Sequence, residues 1–209
     1  MSTLLYIESS PRKTRSSSIA VARHFLAAYR KAHPGDTIET LDLWNTTLPP
    51  FSQAVIDAKY AILHGQPHSP EQADAWKSVV QLASQFKAAD KHVLSVPMWN
   101  FGIPYILKHY IDLIVQPGLT FSFTPAEGYK GLVTGKPALG IFARGGAYEA
   151  GTPAEGYDQQ IRYVRQILGF VGFTHIRQIV VEPTLASPDA RDKAVAAGKK
   201  ASDELALNF

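Results

Sequence analysis

Cysteine is absent from all 209 residues, which excludes disulfides, thiolate nucleophiles, Cys-ligated zinc and iron–sulfur clusters. Any redox chemistry must therefore sit on a bound organic cofactor or on a Cys-free metal site. Charge is also sparse. Asp, Glu, Lys and Arg make up 19% of the chain, 21 basic against 18 acidic for a formal charge of +3, below the roughly 25% charged content usual in soluble domains. So small a surplus, scattered along the chain, argues against nucleic acid as a partner. No apolar run reaches the ~18 residues of a membrane span. Met1-Ser2-Thr3 leads into a short apolar run ending at Glu8, without the basic flank and small-residue cleavage site of a secretory signal. The expectation is a cytoplasmic protein that engages neither membrane nor nucleic acid.

Apolar residues are plentiful at 45%, enough for a large core and a buried subunit interface. The length predicts a single domain over 1–209. Thr3 to Glu8 (TLLYIE) reads as a strand, and a polar loop then leads into a helix from Ser16 to Ala32 with Ile19, Ala22, Phe25, Leu26 and Tyr29 at helical spacing. Pro34-Gly35-Asp36 breaks that helix, and Thr37 to Leu43 alternates with period two as a second strand. Helices are predicted over 53–64 and 70–88, the latter opened by Ser69-Pro70-Glu71 as an N-cap followed by proline. His92 to Met98 is the third strand, and Tyr105 to Val115 is a helix buried along one face. Residues 119–133 are turn-rich and alternating, which predicts a small hairpin-like excursion. Strand 137–143, helix 157–171, strand 174–182 and helix 188–207 complete the chain.

Strands alternating with helices require right-handed crossovers and a parallel sheet covered on both faces. Five strands in this rhythm predict an α/β doubly wound sheet of flavodoxin-like order 2-1-3-4-5, whose ligand site lies at the carboxyl ends of strands 1 and 3. The loops after strands 1, 3 and 4 then emerge along one edge. The first, SSPRKTRSSS from Ser9 to Ser18, sets five serines before a helix start, where free N–H groups and the dipole favour an anion such as a phosphate monoester. Arg12, Lys13 and Arg15 are rival anchors for that anion, and an ordinary serine cap in a solvated loop is the plainer alternative. The second loop, PMWNFGIP, places Trp99, Asn100 and Phe101 between prolines. Asn100 offers donor and acceptor to a heterocycle's edge, and the rings of Trp99 and Phe101 either cover a flat ligand or plug the core. The third, ARGGAYEAG, has paired glycines that permit close backbone approach or form a simple turn.

Together these loops resemble the FMN-dependent NADH-azoreductases, a family of flavodoxin-like NAD(P)H:quinone oxidoreductases. The resemblance runs from LLYIESSPR through IPYILKHYIDLI and GLTFSFTPAEGYKGLVTGK to ARGGAY. It implies that Ser10, Ser16, Ser17 and Ser18 hold the FMN phosphate, that Met98, Trp99, Asn100 and Phe101 line the ribityl chain and flavin, and that Ala143, Arg144, Gly145 and Gly146 lie along the ring. Trp99 stands where the family usually has Tyr, and Ala143 where it usually has Ser, so hydroxyl contacts from those positions are lost. The implied activity is ping-pong transfer from NADH or NADPH through FMN to a quinone or azo compound, by a homodimer with both active sites at the interface. The chemistry would belong to the cofactor, with no catalytic nucleophile or base supplied by the chain. The alternative is a flavodoxin-like electron carrier that docks to protein partners, although a charge of +3 lacks the acidic surface such docking uses.

Other ligand motifs are missing. There is no G-x-G-x-x-G after the first strand, GLVTGKP at Gly131 to Pro137 lacks the Walker A spacing, and no G-x-S-x-G elbow occurs. His64 and His68 are four apart, but Gly65 and Pro67 between them prevent a helix from aiming both at one metal. No metal is expected.

Overall fold

The computed structural model describes residues 1–209. Strands β1 (Thr3–Glu8), β2 (Thr37–Asp42), β3 (Lys91–Pro97), β6 (Pro137–Ala143) and β7 (His175–Val181) form one parallel sheet in the order β2-β1-β3-β6-β7. Counted within the sheet, that is the order 2-1-3-4-5 expected from the strand–helix rhythm. The remaining strands, β4 (Phe121–Thr124) and β5 (Gly128–Gly131), pair antiparallel as the hairpin anticipated at 119–133.

The central strands are apolar on both faces because helices cover both. Leu5 and Ile7 of β1 face one cluster with Leu107 and Ile111 of α4 (Tyr105–Ile114) and Val164 and Leu168 of α5 (Gln160–Val171). Leu4 and Tyr6 face the other, with Val21 and Phe25 of α1 (Ser17–Ala32) and Ala206 of α6 (Pro188–Leu207). Helices α2 (Gln53–Leu63) and α3 (Pro70–Ala88) fill the long crossover between β2 and β3. The Ser69 cap is a full capping box: its Oγ accepts the Gln72 N–H at 3.2 Å while Gln72 Oε1 accepts the Ser69 N–H at 2.8 Å. No helix is long and apolar enough to cross a membrane.

The hairpin is pinned to the end of α5. Phe121 packs on Phe170 at 4.9 Å, and a Cβ at Gly131 would lie 2.4 Å from the Gly172 backbone nitrogen, so only glycine fits there. Helix α5 begins three residues later than its sequence pattern suggests. Asp158 Oδ1 accepts the N–H groups of Gln160 and Ile161, each at 3.0 Å, and so starts the helix at Gln160, while Glu155–Tyr157 make a separate 3-10 turn. At the amino edge of the sheet, near the start of β3, His92 is fully buried between Phe86 and Phe173. Its Nε2 lies 2.8 Å from the Phe86 carbonyl. Burial lowers its pKa to about 4, against the weaker opposing effect of that hydrogen bond.

Candidate functional site

The serine loop leaves β1 at the carboxyl edge of the sheet. Ser9 is tied to β3 through both its N–H and its Oγ, which donate to the Ser95 carbonyl at 3.3 and 2.7 Å. Ser10 is buried, and its Oγ accepts the Arg12 N–H at 3.4 Å. After a 3-10 turn at Lys13–Arg15, Ser16 caps α1 by accepting the Ile19 N–H. Ser16 Oγ and Ser18 Oγ lie 3.2 Å apart, and Ser16, Ser17 and Ser18 are all buried. The loop is thus a cup of hydroxyls at a helix start, the arrangement that receives an anion.

Of the rival cations, Lys13 points away from this cup. Its Nζ binds Glu8 Oε1 at 2.8 Å and both carboxylate oxygens of Asp42 at 2.5 Å. Partial burial disfavours its charge, but the hydrogen bonds it donates to Asp42 and Glu8 outweigh that and raise its pKa above the ordinary lysine value. Lys13 therefore neutralises the acids beneath the loop, whereas Arg12 and Arg15 are exposed.

The loop after β3 folds as a tight turn. Trp99 and Gly102 exchange both backbone hydrogen bonds, at 3.1 and 2.9 Å, around Asn100 at φ 46° and Phe101 at φ 67°. Two successive residues in the left-handed region make a mirror-image turn of the type that favours Asn at its first position. A phenylalanine in that region costs about 1 kcal/mol or more. The turn lifts both side chains out: Phe101 is 47% exposed, stacked on Tyr157 at 5.0 Å and edge-on to Tyr148 at 6.4 Å. Trp99 turns to the opposite flank, where it meets Trp44 at 6.0 Å and Tyr105 at 6.4 Å. Trp44 Nε1 donates to the Ser9 carbonyl at 3.0 Å, so this aromatic wall is fastened to the serine loop.

The loop after β6 is held from behind. The Arg144 guanidinium is buried and directed into the protein, 2.7 Å from Asp158 Oδ2 and 3.1 Å from Glu182 Oε2. Its backbone is occupied as well, with the N–H on the Val181 carbonyl and the carbonyl accepting from Thr184. Ala143 is the last residue of the strand, and its carbonyl accepts the Met98 N–H at 2.8 Å. A Cβ at Gly145 would lie 2.7 Å from Leu185 Cδ1, the tip of an exposed side chain that would have to swing aside. The Thr184 and Leu185 N–H groups of the β7–α6 loop donate to the Gly145 carbonyl.

The loops after β3, β6 and β7 border an open cleft of about 710 Å³ lined by Met98, Asn100, Phe101, Gly145, Gly146 and Tyr148, with Pro183, Leu185 and Ala186 on the far side. Its size suits a cofactor, and its apolar walls with a few convergent polar groups match ligand sites generally. Trp99 lies outside this cleft in a second groove with Tyr105, Lys108 and His109, across the Asn100 turn. The tertiary structure therefore brings Met98, Asn100, Phe101, Gly145 and Gly146 around one space, sets Ser10 and Ser16 to Ser18 at the same sheet edge, and places Ala143 and Arg144 behind the wall. Trp44, Tyr148, Asp158, Glu182 and Leu185 carry no mark in the sequence that sets them apart from ordinary core or loop residues.

Comparison with known proteins agrees with the fold. Residues 2–205 match the family described as having the Flavodoxin-like fold. The chain is 51% identical to an FMN-dependent NADH:quinone oxidoreductase of Nitratidesulfovibrio vulgaris, with 100% of both chains covered. It is 48% identical to an enzyme of the same name from Desulfotalea psychrophila, covering 99% of this chain and 97% of the relative. Among solved structures, an azoreductase from Bacillus anthracis superposes with a TM-score of 0.91 at 33% identity over 100% of both chains. An FMN-dependent NADH-azoreductase from the same species, in complex with FMN, superposes at 0.86 with 28% identity, covering 99% of this chain and 100% of that one.

Proposed function

The chain belongs to the Flavodoxin-like fold family, and from that premise we propose that it is an FMN-dependent NADH:quinone oxidoreductase that also reduces azo compounds. The observation that carries this reading is the cleft between the Asn100 turn and Gly145-Gly146, beside a buried serine cup at the start of α1. It is supported by full-length relatives bearing that name. When bound, FMN supplies hydride acceptance and donation on its own ring.

The chain's residues position that ring and its tail. The hydroxyls of Ser10, Ser16, Ser17 and Ser18, with the first N–H groups of α1, hold the phosphate. Met98, Asn100 and Phe101 border the ribityl chain and ring, with the Asn100 amide at a ring edge, and Trp99 walls the adjoining groove. Gly145 and Gly146 follow the ring, and Ala143 and Arg144 act by holding them in place. Both substrates use one exposed side of the cleft in turn, which gives ping-pong kinetics. The carrier alternative is disfavoured, because a formal charge of +3 provides no acidic docking face.

The protein acts as a single domain over 1–209 and as a homodimer in the cytoplasm, where NADH is available. Dimer formation is supported by the aromatic surface of the hairpin, where Phe123 and Tyr129 are 54% and 67% exposed with their rings 4.8 Å apart. The decisive experiment identifies the flavin released on denaturation, then titrates the holoprotein anaerobically with NADH followed by a quinone. Release of FMN, bleaching by one equivalent of NADH and recovery of colour with quinone are expected. Purification without flavin, with no FMN uptake by the apoprotein, overturns the reading.

A further inference from the structure

Beside the main cleft, and distinct from the Trp99 groove, lies a third space, a groove of about 410 Å³ between the serine loop and the start of α6. Its polar lining is Arg12, Ser17, Thr184, Ser187 and Arg191: guanidinium groups and hydroxyls, with no carboxylate. Arg191 Nε donates to Ser17 Oγ at 3.3 Å, leaving the rest of its fork free. Neither Arg191 nor Arg12 pairs with an acid, and the carboxylate of Asp189, two residues before Arg191, is engaged by Lys193 at 2.8 Å. Leu185 and Ala186 line both this groove and the main cleft, so the two spaces adjoin along these residues.

Two guanidinium groups without an acid partner, lining one space with hydroxyls, supply the donors that a phosphate ester accepts, and arginine binds phosphate through parallel charge-assisted hydrogen bonds. We propose that this groove is a phosphate subsite with Arg191 and Arg12 as its cations. Its ligand is a phosphate of a molecule held in the main cleft, either the monoester of FMN or the diphosphate of the dinucleotide donor. The inference rests on the proposed function and adds to it: the cation that reads phosphate is supplied by α6, 174 residues from the serine it contacts. Arg191 also orients Ser17, so one side chain couples the last helix to the serine cup.

The test uses Arg191→Gln, which retains a donor for Ser17 while removing charge, and Arg12→Gln at an exposed position, each with its fold checked by circular dichroism. Apoprotein is titrated with FMN and with riboflavin by flavin fluorescence, at low and high salt. Holoprotein is assayed with NADH and with a phosphate-free N-alkyl dihydronicotinamide. If FMN is the source, the FMN-to-riboflavin affinity ratio falls about tenfold in Arg191→Gln, and less at high salt. If the donor is the source, KM rises about tenfold for NADH and is unchanged for the dihydronicotinamide. Variants that leave both comparisons at wild-type values overturn the phosphate subsite and leave the enzyme reading intact. Wild-type apoprotein that binds neither flavin overturns both.

Discussion

Arg144 and Asp158 meet at 2.7 Å beneath the loop that borders the cleft, and the same guanidinium reaches Glu182 at 3.1 Å. One buried cation thus ties the end of β6, the start of α5 and the end of β7. Asp158 simultaneously caps α5 with its other oxygen. Rigidity behind Gly145 and Gly146 follows from this triad, since none of the three segments can move without separating charges inside the protein.

Arg144→Met should therefore destabilise the protein by about 3–5 kcal/mol, because the buried carboxylate of Asp158 and the half-buried one of Glu182 lose their cation. Asp158→Asn should cost less, since the amide oxygen still accepts from the α5 N–H groups. Urea denaturation of the apoproteins checks the order. Equal midpoints for the two variants would contradict the clamp.

The Asn100 turn calls for a substitution that respects its backbone. At φ 46° an alanine adds conformational strain, whereas Asn100→Gly removes the amide and keeps the turn. That variant should hold its denaturation free energy within about 1 kcal/mol while losing turnover about tenfold or more. Unchanged kcat and FMN affinity would reduce Asn100 to a turn residue.

Removing the hydroxyls of Ser16, Ser17 and Ser18 together with alanine should lower FMN affinity far more than riboflavin affinity. A loss of about 1 kcal/mol in stability should accompany it, from the Ser16 cap. Neutralising Lys13 should affect stability and leave flavin discrimination alone, because its ammonium is engaged by Glu8 and Asp42. Paired titrations with the two flavins distinguish these outcomes.

His92 gives the stability a pH dependence of known sign. Its folded pKa is lowered to about 4 from about 6.5 in the unfolded chain, so between these values the unfolded state binds the extra proton. Stability is complete above pH 6.5 and declines as pH falls towards 4, by up to about 3 kcal/mol from this group. Replacing His92 with Gln, which keeps a donor for the Phe86 carbonyl, should flatten that stretch of the profile. Thermal denaturation from pH 7 to pH 4.5 measures the difference, and parallel wild-type and variant curves would assign the slope to other groups.

Initial rates with NADH and a quinone varied together should give parallel double-reciprocal lines. Intersecting lines would require both substrates to be bound at once, and therefore a donor site separate from the acceptor site.

Much of this molecule is legible in its residues taken in order. The apolar run in TLLYIE, helical spacing in α1 and the Ser69-Pro70 cap are local physics, decided by neighbours within a few positions. They suffice for the strand–helix rhythm, and chain chirality then restricts the sheet order. The serine run and the stiff Trp99-Asn100-Phe101 segment are likewise local, because their composition already suits an anion and a planar ring. What folding decided was partnership and direction. Nothing near Arg144 in sequence foretells that its guanidinium would turn inward to Asp158 and Glu182, or that the Gly145 carbonyl would accept from Thr184 and Leu185. Lys13, equivalent to Arg12 on paper, is drawn down to Glu8 and Asp42, while Arg191 arrives at Ser17 from the other end of the chain. A side chain's type is written in the sequence, but its charge partners and exposure depend on where distant backbone segments come to rest, and only the packed sheet fixes that.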